Sequence, residues 1–600
     1  MNASSPKLHV FLAACAGLGG VLLFLWPICN LWLGNPLGLR SNALMALGGI
    51  LPVSDARDFF RGACLVADGI PLDLWNTRRP LNAVLFAARL WAAGFDYQAA
   101  LLLAALACGL ACVLAAWCVY KASGLLAAAI TYCVLLDFAQ PFLTTGLSET
   151  LGLFLGSLAF VLLWEGTEAK KPGYFEAGVF LLTVALGARS GANLVLPLLV
   201  LAAGKIFAPK GRFGWKAAGL AACAMLCAMA FDRAVQVLFC ARTAFGVMHY
   251  VFALTVFGLV SGGKTWTWAT QCYPHFQGDG FAFALFLYER SWETFLSHPR
   301  LLALGLWENT WGVIRYVLDG YTHVLTSFTA VPLFCENPFP RLLLRASGLI
   351  TAMLFAIMAK KRLAASWDRM LLVLAGLAGM FFSAAIVWLD GYSRVFAPAM
   401  PFMAAALGLA FGKSPRPAQN NVPAAPTAAR LALVLSVLVL AGGLTAALVL
   451  KSQTPGWIKA SAAPAQPGPG KKTLIVTKPF LLPHLIVYKG NALKKTRVPN
   501  VSEDDFKQMV AESRFEDTQV FLDLVDHFAG PRVGLGLLYD HVTQDVYYVA
   551  GPASLFDPKH GAVRIQAALQ PDGLIWRALE TQDISAHPRL GLGLVIQELP

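Results

Sequence analysis

The chain is a long series of apolar segments separated by short polar turns, and this pattern continues to about residue 455. An uncharged stretch of roughly 18 or more residues is long enough to cross a membrane as a helix. Including shorter segments that flanking residues can extend, we predict about eleven spanning helices. The predicted spans are Val10–Leu33, Ala99–Val119, Leu125–Leu136, Leu147–Trp164, Gly178–Leu186, Leu194–Ala203, Ala217–Phe231, Leu342–Met358, Leu371–Leu389, Phe396–Phe411 and Leu431–Leu450.

Four stretches break this pattern. Residues 34–96 and 232–341 are long loops, and the second is rich in tryptophan and other aromatic residues that suit the membrane interface. Residues 413–429 are a Pro-rich linker, and residues 452–472 are a Pro/Gly-rich linker that leads into a final domain. We therefore predict a membrane domain over 1–451 and a small water-soluble domain over 473–600.

The final domain has the pattern of a mixed α/β fold. Short β-prone runs predict strands over 473–477, 484–488, 519–525 and 546–549, and Asp504–Glu512 has the pattern of a short helix. A segment of about 130 residues is long enough to bury its own core. Its histidines lack the spacing of metal ligands, so we assign no chemistry to this domain.

Composition and charge agree with a membrane protein. Hydrophobic residues make up 57% of the chain and charged residues only 14%, whereas a soluble domain has about 25% charged residues. The net charge of +13 comes from the membrane part, because residues 456–600 contain equal numbers of basic and acidic residues. A nucleic-acid partner requires basic residues clustered on a soluble face, and the sequence shows no such cluster.

The basic residues also predict an orientation, because cytoplasmic loops of membrane proteins are enriched in lysine and arginine. We place the N-terminus in the cytoplasm and read the first apolar segment as a span of an inner (plasma) membrane. The loop Arg40–Arg89, the 232–341 loop and the final domain then lie on the outer, periplasmic side. The basic residues assigned to the cytoplasmic side are Lys7, Lys121, Lys170, Lys171, Lys205, Lys210, Arg212, Lys216, Lys360, Lys361, Arg362, Arg369, Lys413, Arg416 and Arg430.

The first outer loop contains a predicted helix with a candidate carboxylate. Ser54 is placed to cap the helix and Gly69 to end it. On a helical wheel Asp55 borders the apolar face, while Asp58 points towards solvent, where Arg61 is a candidate partner three residues away. Asp55 is therefore a candidate general base or metal ligand, and the alternative is that it only helps to cap an interfacial helix.

Further ionisable groups are predicted on the same membrane face. Arg78 and Arg79 together suit a phosphate, and Glu149 and Arg189 each lie at the outer end of a span. The segment Asp390-Gly391-Tyr392-Ser393-Arg394 turns between two later spans. Any one of these can be an interface anchor or a structural ion pair, but ionisable groups near membrane depth are costly and usually functional.

As a set, these motifs resemble the GT-C superfamily of polytopic glycosyltransferases, whose members use polyprenyl-phosphate sugars. That superfamily includes the aminoarabinose transferase of lipid A, protein O-mannosyltransferases and oligosaccharyltransferases. The resemblance covers roughly residues 1–450. It rests on Ser54-Asp55-Ala56-Arg57, Arg78-Arg79-Pro80-Leu81, Leu147-Ser148-Glu149, Ala188-Arg189-Ser190-Gly191 and Asp390-Gly391-Tyr392-Ser393-Arg394.

The resemblance implies an α-helical fold of the GT-C type and a role for each motif. Asp55 would activate the acceptor or bind a divalent cation such as Mg²⁺ or Mn²⁺, and Glu149 would be a second catalytic acid. The donor would be a polyprenyl-phosphate-linked sugar, and the acceptor a lipid, a glycan or a protein at the membrane. The residues implied to bind substrate are Arg57, Arg78, Arg79, Arg189, Asp390 and Arg394.

Two other functions compete with the enzyme. A transporter of lipid-linked substrates predicts ionisable residues near the middle of the membrane and interrupted helices in two related halves, and the sequence shows neither feature. A non-catalytic subunit for assembly or export of envelope polysaccharide predicts that the final domain is a docking module. The sequence leaves this second alternative open.

Overall fold

A computed structural model describes most of the membrane domain and the strands that follow it. The described residues are 6–33, 45–46, 51–52, 55–73, 75–94, 97–208, 212–241, 250–276, 280–329, 367–411, 427–453, 471–477, 486–489, 492–495, 501–502, 533–540, 545–552, 562–569, 575–583, 589–590 and 594–595.

Within these residues the membrane domain is helical apart from a two-stranded pairing of β1 (Met45–Ala46) with β2 (Leu51–Pro52). Two short 3₁₀ helices, Asn76–Arg78 and Tyr392–Phe396, lie in turns between α-helices. The α-helices are α1 Pro6–Leu33, α2 Asp55–Ala67, α3 Pro80–Ala92, α4 Tyr97–Ser123, α5 Leu125–Leu143, α6 Ser148–Glu168, α7 Pro172–Ala188, α8 Val195–Ile206, α9 Trp215–Phe239, α10 Tyr250–Val260, α11 Thr267–Cys272, α12 Gly280–Ser297, α13 Pro299–Thr329, α14 Trp367–Gly391, α15 Met400–Phe411 and α16 Thr427–Gln453.

The described part of the chain contains six helices that are long and apolar enough to cross a membrane. They are Ala99–Ser123, Leu125–Leu143, Ser148–Glu168, Trp215–Phe239, Trp367–Leu389 and Thr427–Ser452. Five shorter apolar helices accompany them, at Gly17–Cys29, Pro172–Ala188, Val195–Ile206, Val251–Val260 and Met400–Phe411. The protein is therefore a multi-pass α-helical membrane protein. The total of about eleven spans stays a prediction, since Leu342–Met358 lies outside the described residues.

Helix α6 lies at the centre of this bundle. Every residue from Ser148 to Thr167 is buried, because α4, α5, α7, α15 and α16 pack around it. Glycines on α6 and α7 allow close packing: a Cβ on Gly156 of α6 would overlap the carbonyl group of Pro398, and a Cβ on Gly178 of α7 would lie 2.7 Å from Leu163. Helix α6 therefore packs directly against the turn that precedes α15.

The region predicted as an aromatic loop over 232–341 contains more helix than the sequence pattern indicates. Helix α9 continues eight residues beyond the predicted end of its span, from Phe231 to Phe239, and α10–α13 follow it. The apolar run ends at Phe231 because Asp232 and Arg233 are charged. Charge does not interrupt backbone hydrogen bonding, since both residue types are compatible with a helix.

The segments that the structure describes after residue 470 are strands. The eight-stranded sheet has the order β3 (Lys471–Thr477), β9 (Ala562–Leu569), β10 (Ile575–Asp583), β8 (Asp545–Pro552), β7 (Val533–Asp540), β4 (Ile486–Lys489), β5 (Ala492–Lys495), β6 (Val501–Ser502). Among the strands that the structure describes, β10 and β8 pair in parallel and the other neighbours pair antiparallel, while β11 (Arg589–Leu590) pairs with β12 (Leu594–Val595) separately. Residues 504–512 and 519–525 lie outside the described residues, so the α/β class of this part stays a prediction.

Candidate functional site

Helix α2 presents the first candidate carboxylate. It begins at Asp55, where the positive end of the helix dipole favours a negative charge, and Gly69 follows its last turn with a φ of +67°. The predicted apolar face is buried, with Phe59 and Phe60 fully enclosed. Asp55 lies at the edge of that face and keeps 35% of its side chain exposed. Its carboxylate is therefore anchored on a packed helix while remaining accessible.

The turn that follows α2 is fixed by one asparagine. Asn76 donates from Nδ2 to the Asp58 carbonyl at 2.9 Å and to Asp73 Oδ1 at 3.1 Å. The side chain fits against α2 because position 62 is glycine, where a Cβ would overlap the amide of Asn76. These contacts fix the turn that carries Arg78 and Arg79, just before Pro80 begins α3.

The second candidate carboxylate, Glu149, lies in the first turn of α6. Its side chain is fully buried, and one oxygen, Oε1, faces two arginines. Arg189 Nε lies 3.3 Å from Glu149 Oε1, and Arg394 Nε donates to the same oxygen. The other oxygen, Oε2, is enclosed and has no hydrogen-bond partner among the described residues.

Arg394 joins the two carboxylates. Its Nε donates to Glu149, and its Nη2 lies 3.3 Å from Asp55 Oδ2. The carbonyl oxygen of Arg394 also accepts a hydrogen bond from Arg189 Nε at 3.3 Å. Three distant parts of the chain, α2, α6 and the turn after α14, therefore meet at this guanidinium group.

The turn that carries Arg394 has an uncommon backbone conformation. Tyr392 has a φ of +47°, a left-handed value that residues with a Cβ seldom adopt. Gly191 packs against this turn, and a Cβ there would lie 2.5 Å from the Val395 carbonyl oxygen. Such conformations persist where surrounding structure fixes them, and they are concentrated at functional sites.

Arg78 and Arg79 stand beside this cluster. Arg78 lies with Cζ 4.4 Å from the centre of the Trp75 ring and donates from Nε to the Trp75 carbonyl at 2.9 Å. Arg79 donates from Nη1 to Ser148 Oγ at 3.4 Å. Burial lowers the pKa of Arg79, and the nearby carboxylates of Asp55 and Glu149 oppose that shift.

Three of the predicted phosphate-binding arginines line one cavity of about 830 Å³. Its lining includes Arg78, Arg79 and Arg189. Residues of α9 and α10, two helices that the sequence pattern did not connect with the site, also line it. The lining residues from those two helices are Met225, Ala228, Met229, Asp232, Arg233, Gln236, Val251, Phe252 and Thr255.

Helix α9 contributes a small polar network to this cavity. Arg233 Nη1 donates to Gln236 Oε1 at 2.9 Å, and Gln236 Nε2 donates to Asp232 Oδ2 at 3.2 Å. Sequence reasoning missed these residues because it ended the span at Phe231. The spacing of Asp232 and Gln236, four residues apart on one helix face, was the signal available in the sequence.

The charges of the cluster favour an anionic ligand. Arg78, Arg79, Arg189 and Arg394 supply four guanidinium groups, while Asp55 and Glu149 supply two carboxylates. Burial tends to lower the pKa of Arg394, but Glu149 and Asp55 raise it overall, so this arginine stays charged. Guanidinium groups bind phosphate oxygens with matching geometry, and two positive charges remain for such a group.

The same residues do not fit a divalent cation. No group of three or more His, Cys, Asp or Glu side chains converges within the part of the chain that is described. The two carboxylates of the cluster already face guanidinium groups, which would repel a cation. We therefore assign no metal to the candidate site.

The other residues singled out in the sequence lie on α2 and at the end of α14. Arg61 forms an ion pair with Asp73 at 3.3 Å, and its pairing with Asp58, expected from spacing, stays a prediction. Asp58 is partly buried, and burial raises its pKa to about 6. Arg57 is partly buried on α2, and it lies outside the residues that line the cavity. Asp390 lies in the last turn of α14, where only its backbone is described.

Comparison with known proteins adds no relative: no protein-family model matches the sequence, and no curated protein is significantly similar to it. Fold and site define a multi-pass α-helical membrane protein in which three arginines line a cavity, and one of them, Arg189, is joined to a cluster of two carboxylates and Arg394.

Proposed function

We propose that the protein is a membrane glycosyltransferase of the GT-C type, acting at the outer face of the inner membrane. The observation that carries the proposal is the arginine-lined cavity beside an accessible carboxylate. Arg78, Arg79 and Arg189 converge on the cavity, and Asp55 is linked to the same cluster through Arg394. This arrangement suits a donor with a phosphate leaving group and an acceptor that must lose a proton.

The proposed reaction is an inverting transfer from a polyprenyl-phosphate sugar. A hydroxyl or amine of the acceptor attacks the anomeric carbon, and Asp55 takes the acceptor proton. The bond between the anomeric carbon and the phosphate oxygen breaks, and polyprenyl phosphate departs with the electron pair. The arginines stabilise the negative charge that develops on this phosphate.

The structure favours different roles for the two carboxylates. Asp55 is partly exposed and forms an ion pair with Arg394, so it can exchange a proton with a bound acceptor. Glu149 is fully buried and contacts both Arg189 and Arg394. We assign Glu149 to positioning these arginines, in place of the catalytic acid that the resemblance implies.

Transfer from a labelled polyprenyl-phosphate sugar by the purified full-length protein tests the proposal. Membranes from a strain that lacks the protein supply the acceptor. We expect Asp55→Asn to abolish transfer, because the amide cannot take a proton, while binding of polyprenyl phosphate is retained. Asp58→Asn is the matched control on the same helix and should keep most activity. Full activity in Asp55→Asn, or loss of activity only in Asp58→Asn, would show that the wrong carboxylate has been assigned.

Donor binding is tested separately with polyprenyl phosphate alone. Arg78→Gln and Arg79→Gln should each weaken its binding about tenfold, which corresponds to about 1.4 kcal/mol. Arg290→Gln is the control, because Arg290 is an exposed residue of α12 that pairs with Glu293 at 2.6 Å and lies outside the cavity lining. Equal binding by all three variants would contradict the assignment of the cavity to the lipid phosphate.

A further inference from the structure

A second cavity lies apart from the arginine-lined one. It has a volume of about 320 Å³ and is enclosed by α3, α4, α6 and α16. Its lining is apolar apart from Arg89 and Thr150. This volume is at the lower end of the range of roughly 300–1,000 Å³ typical of small-molecule sites, and such sites combine apolar walls with a few polar groups.

The cavity opens towards the hydrocarbon of the membrane. Two of its walls, α4 and α16, are candidate membrane spans. Leu103 on α4 and Leu438 on α16 line the cavity and are 39% and 62% exposed in the structure. Exposed apolar side chains on spanning helices contact lipid chains, so a chain from the surrounding bilayer can enter between them.

Arg89 gives this apolar cavity one positive charge. It lies in the last turn of α3, with Cζ 4.8 Å from the centre of the Phe86 ring. Its Nε is enclosed and has no hydrogen-bond partner among the described residues. Burial lowers the pKa of Arg89 to about 10, so the group is still charged near neutral pH. An enclosed guanidinium nitrogen without a partner is costly, and an anion beside it removes that cost.

The glycines of α16 shape the space next to this arginine. Gly443 allows α16 to approach α3 closely, because a Cβ there would overlap Leu85. The preceding residue, Gly442, lines the cavity and has no atom within 4 Å of the position of a Cβ. A side chain added at position 442 therefore starts in open space at the wall of the cavity.

We propose that this cavity binds one acyl chain of an anionic phospholipid, with the phosphate of its headgroup against Arg89. Such a ligand requires an apolar cavity that opens to the bilayer and an enclosed cation beside it. Of the two cavities described, this one has both features. The ligand is a lipid of the bilayer, separate from the proposed sugar donor and its cavity.

Photo-crosslinking of the full-length protein in nanodiscs tests this inference. One probe is phosphatidylglycerol with a diazirine in one acyl chain, and the matched probe is the same molecule with a phosphatidylcholine headgroup. We expect the anionic probe to label α4 near Leu103–Ala107 and α16 near Leu438–Ala446 several-fold more strongly. Unlabelled phosphatidylglycerol should compete, and unlabelled phosphatidylcholine should not. Equal labelling by both probes would overturn the assignment of an anionic headgroup.

Three variants separate the contributions of charge and space. Arg89→Gln should remove the preference for the anionic probe, and Gly442→Phe should reduce labelling by both probes. Gly219→Phe is the control, because Gly219 on α9 also has no atom within 4 Å of a Cβ and lies outside this cavity. Unchanged labelling in a folded Gly442→Phe variant would overturn the site. Stronger competition by a free fatty acid than by phosphatidylglycerol would overturn the phospholipid assignment. The comparison of the two probes on the wild-type protein does not depend on whether any variant folds.

Discussion

At the scale of single residues, the candidate site depends on how Glu149 is surrounded. The carboxylate is fully buried at the start of α6, and its ion pairs with Arg189 and Arg394 hold both arginines near the cavity. A buried ion pair adds little stability relative to apolar packing, but removing one partner leaves the others uncompensated. Glu149 is therefore expected to matter for stability and for the geometry of the arginines.

Replacing this carboxylate tests that expectation. Glu149→Gln keeps the shape of the side chain but removes its charge, which leaves the buried Arg189 without its carboxylate partner and Arg394 with Asp55 alone. We expect a loss of about 3–5 kcal/mol in the free energy of unfolding, measured by denaturant titration in detergent micelles. Glu293→Gln is the control, because Glu293 pairs with Arg290 while 51% of its side chain is exposed. A Glu149→Gln protein as stable as the Glu293→Gln protein would refute the anchoring role.

Asp58 predicts a pH dependence of stability. Burial raises its pKa from 3.8 to about 6, so the folded protein binds a proton on Asp58 more tightly than the unfolded chain does. The free energy of unfolding should then fall as pH rises from about 4 to about 6, where ionisation of the partly buried carboxyl is unfavourable. Asp58→Asn removes this contribution.

The measurement compares unfolding of the wild type and the Asp58→Asn variant between about pH 4 and pH 7. The variant should gain stability relative to the wild type as pH rises through this range, and the difference should level off above about pH 6. Parallel stability curves would mean that Asp58 ionises as freely in the folded protein as in the unfolded chain.

At the scale of elements, the geometry of the candidate site depends most on the position of the turn between α14 and α15. It carries Arg394, and it is fixed by glycines on neighbouring elements. Gly156 on α6 faces Pro398, and Gly191 after α7 faces Val395. Close packing of backbone against backbone leaves no room for a side chain at either position, so a substitution there must move the turn.

Gly156→Ala measures this constraint. The added methyl group would overlap the Pro398 carbonyl, so we expect a loss of about 1–3 kcal/mol in stability and reduced transfer. Gly173→Ala in the first turn of α7 is the control, because no atom lies within 4 Å of its Cβ position. That change should be neutral or slightly stabilising. A Gly156→Ala protein with wild-type stability and transfer would show that the turn tolerates displacement.

Elements also show what the sequence can and cannot predict. Helix α2 is predicted correctly, because Gly69 and the periodic apolar residues such as Phe59 and Phe60 are local signals. The end of α9 is predicted wrongly, because Asp232 and Arg233 end the apolar run while the helix continues. Hydropathy shows where the side chains of a helix stop facing an apolar environment. Charged residues that face a polar cavity inside the bundle end an apolar run in the same way as residues that face water.

At the scale of the whole molecule, the contact between α2, α6 and the turn after α14 cannot be predicted from sequence patterns. The predicted position of Asp55, Glu149 and Arg394 on one membrane face follows from charge and span order. Their contact depends on which helices are neighbours, and hydropathy contains no information on lateral order. The ion pair between Arg61 and Asp73 illustrates the same limit, because the two residues are twelve positions apart, beyond helical spacing.

The orientation of the molecule remains a prediction from its basic residues. Reporter fusions at Lys360 and at Lys471 should report opposite sides of the membrane, with Lys360 in the cytoplasm, because lysine and arginine are concentrated in the loops assigned to that side. A fusion at Lys121 is the internal control and should agree with Lys360. Reporters at Lys360 and Lys471 that agree with one another would break the orientation scheme.

The ion pair between Asp55 and Arg394 also has a consequence for biosynthesis. The two residues are separated by 339 positions in sequence. Asp55 and Glu149 are therefore synthesised and inserted into the membrane long before Arg394, the arginine that bridges them, is synthesised. Glu149 gains Arg189 early, but the cluster closes only after α14 has left the ribosome. A nascent chain that is truncated before this point carries an incomplete cluster, so the arrangement of these side chains is completed late in insertion.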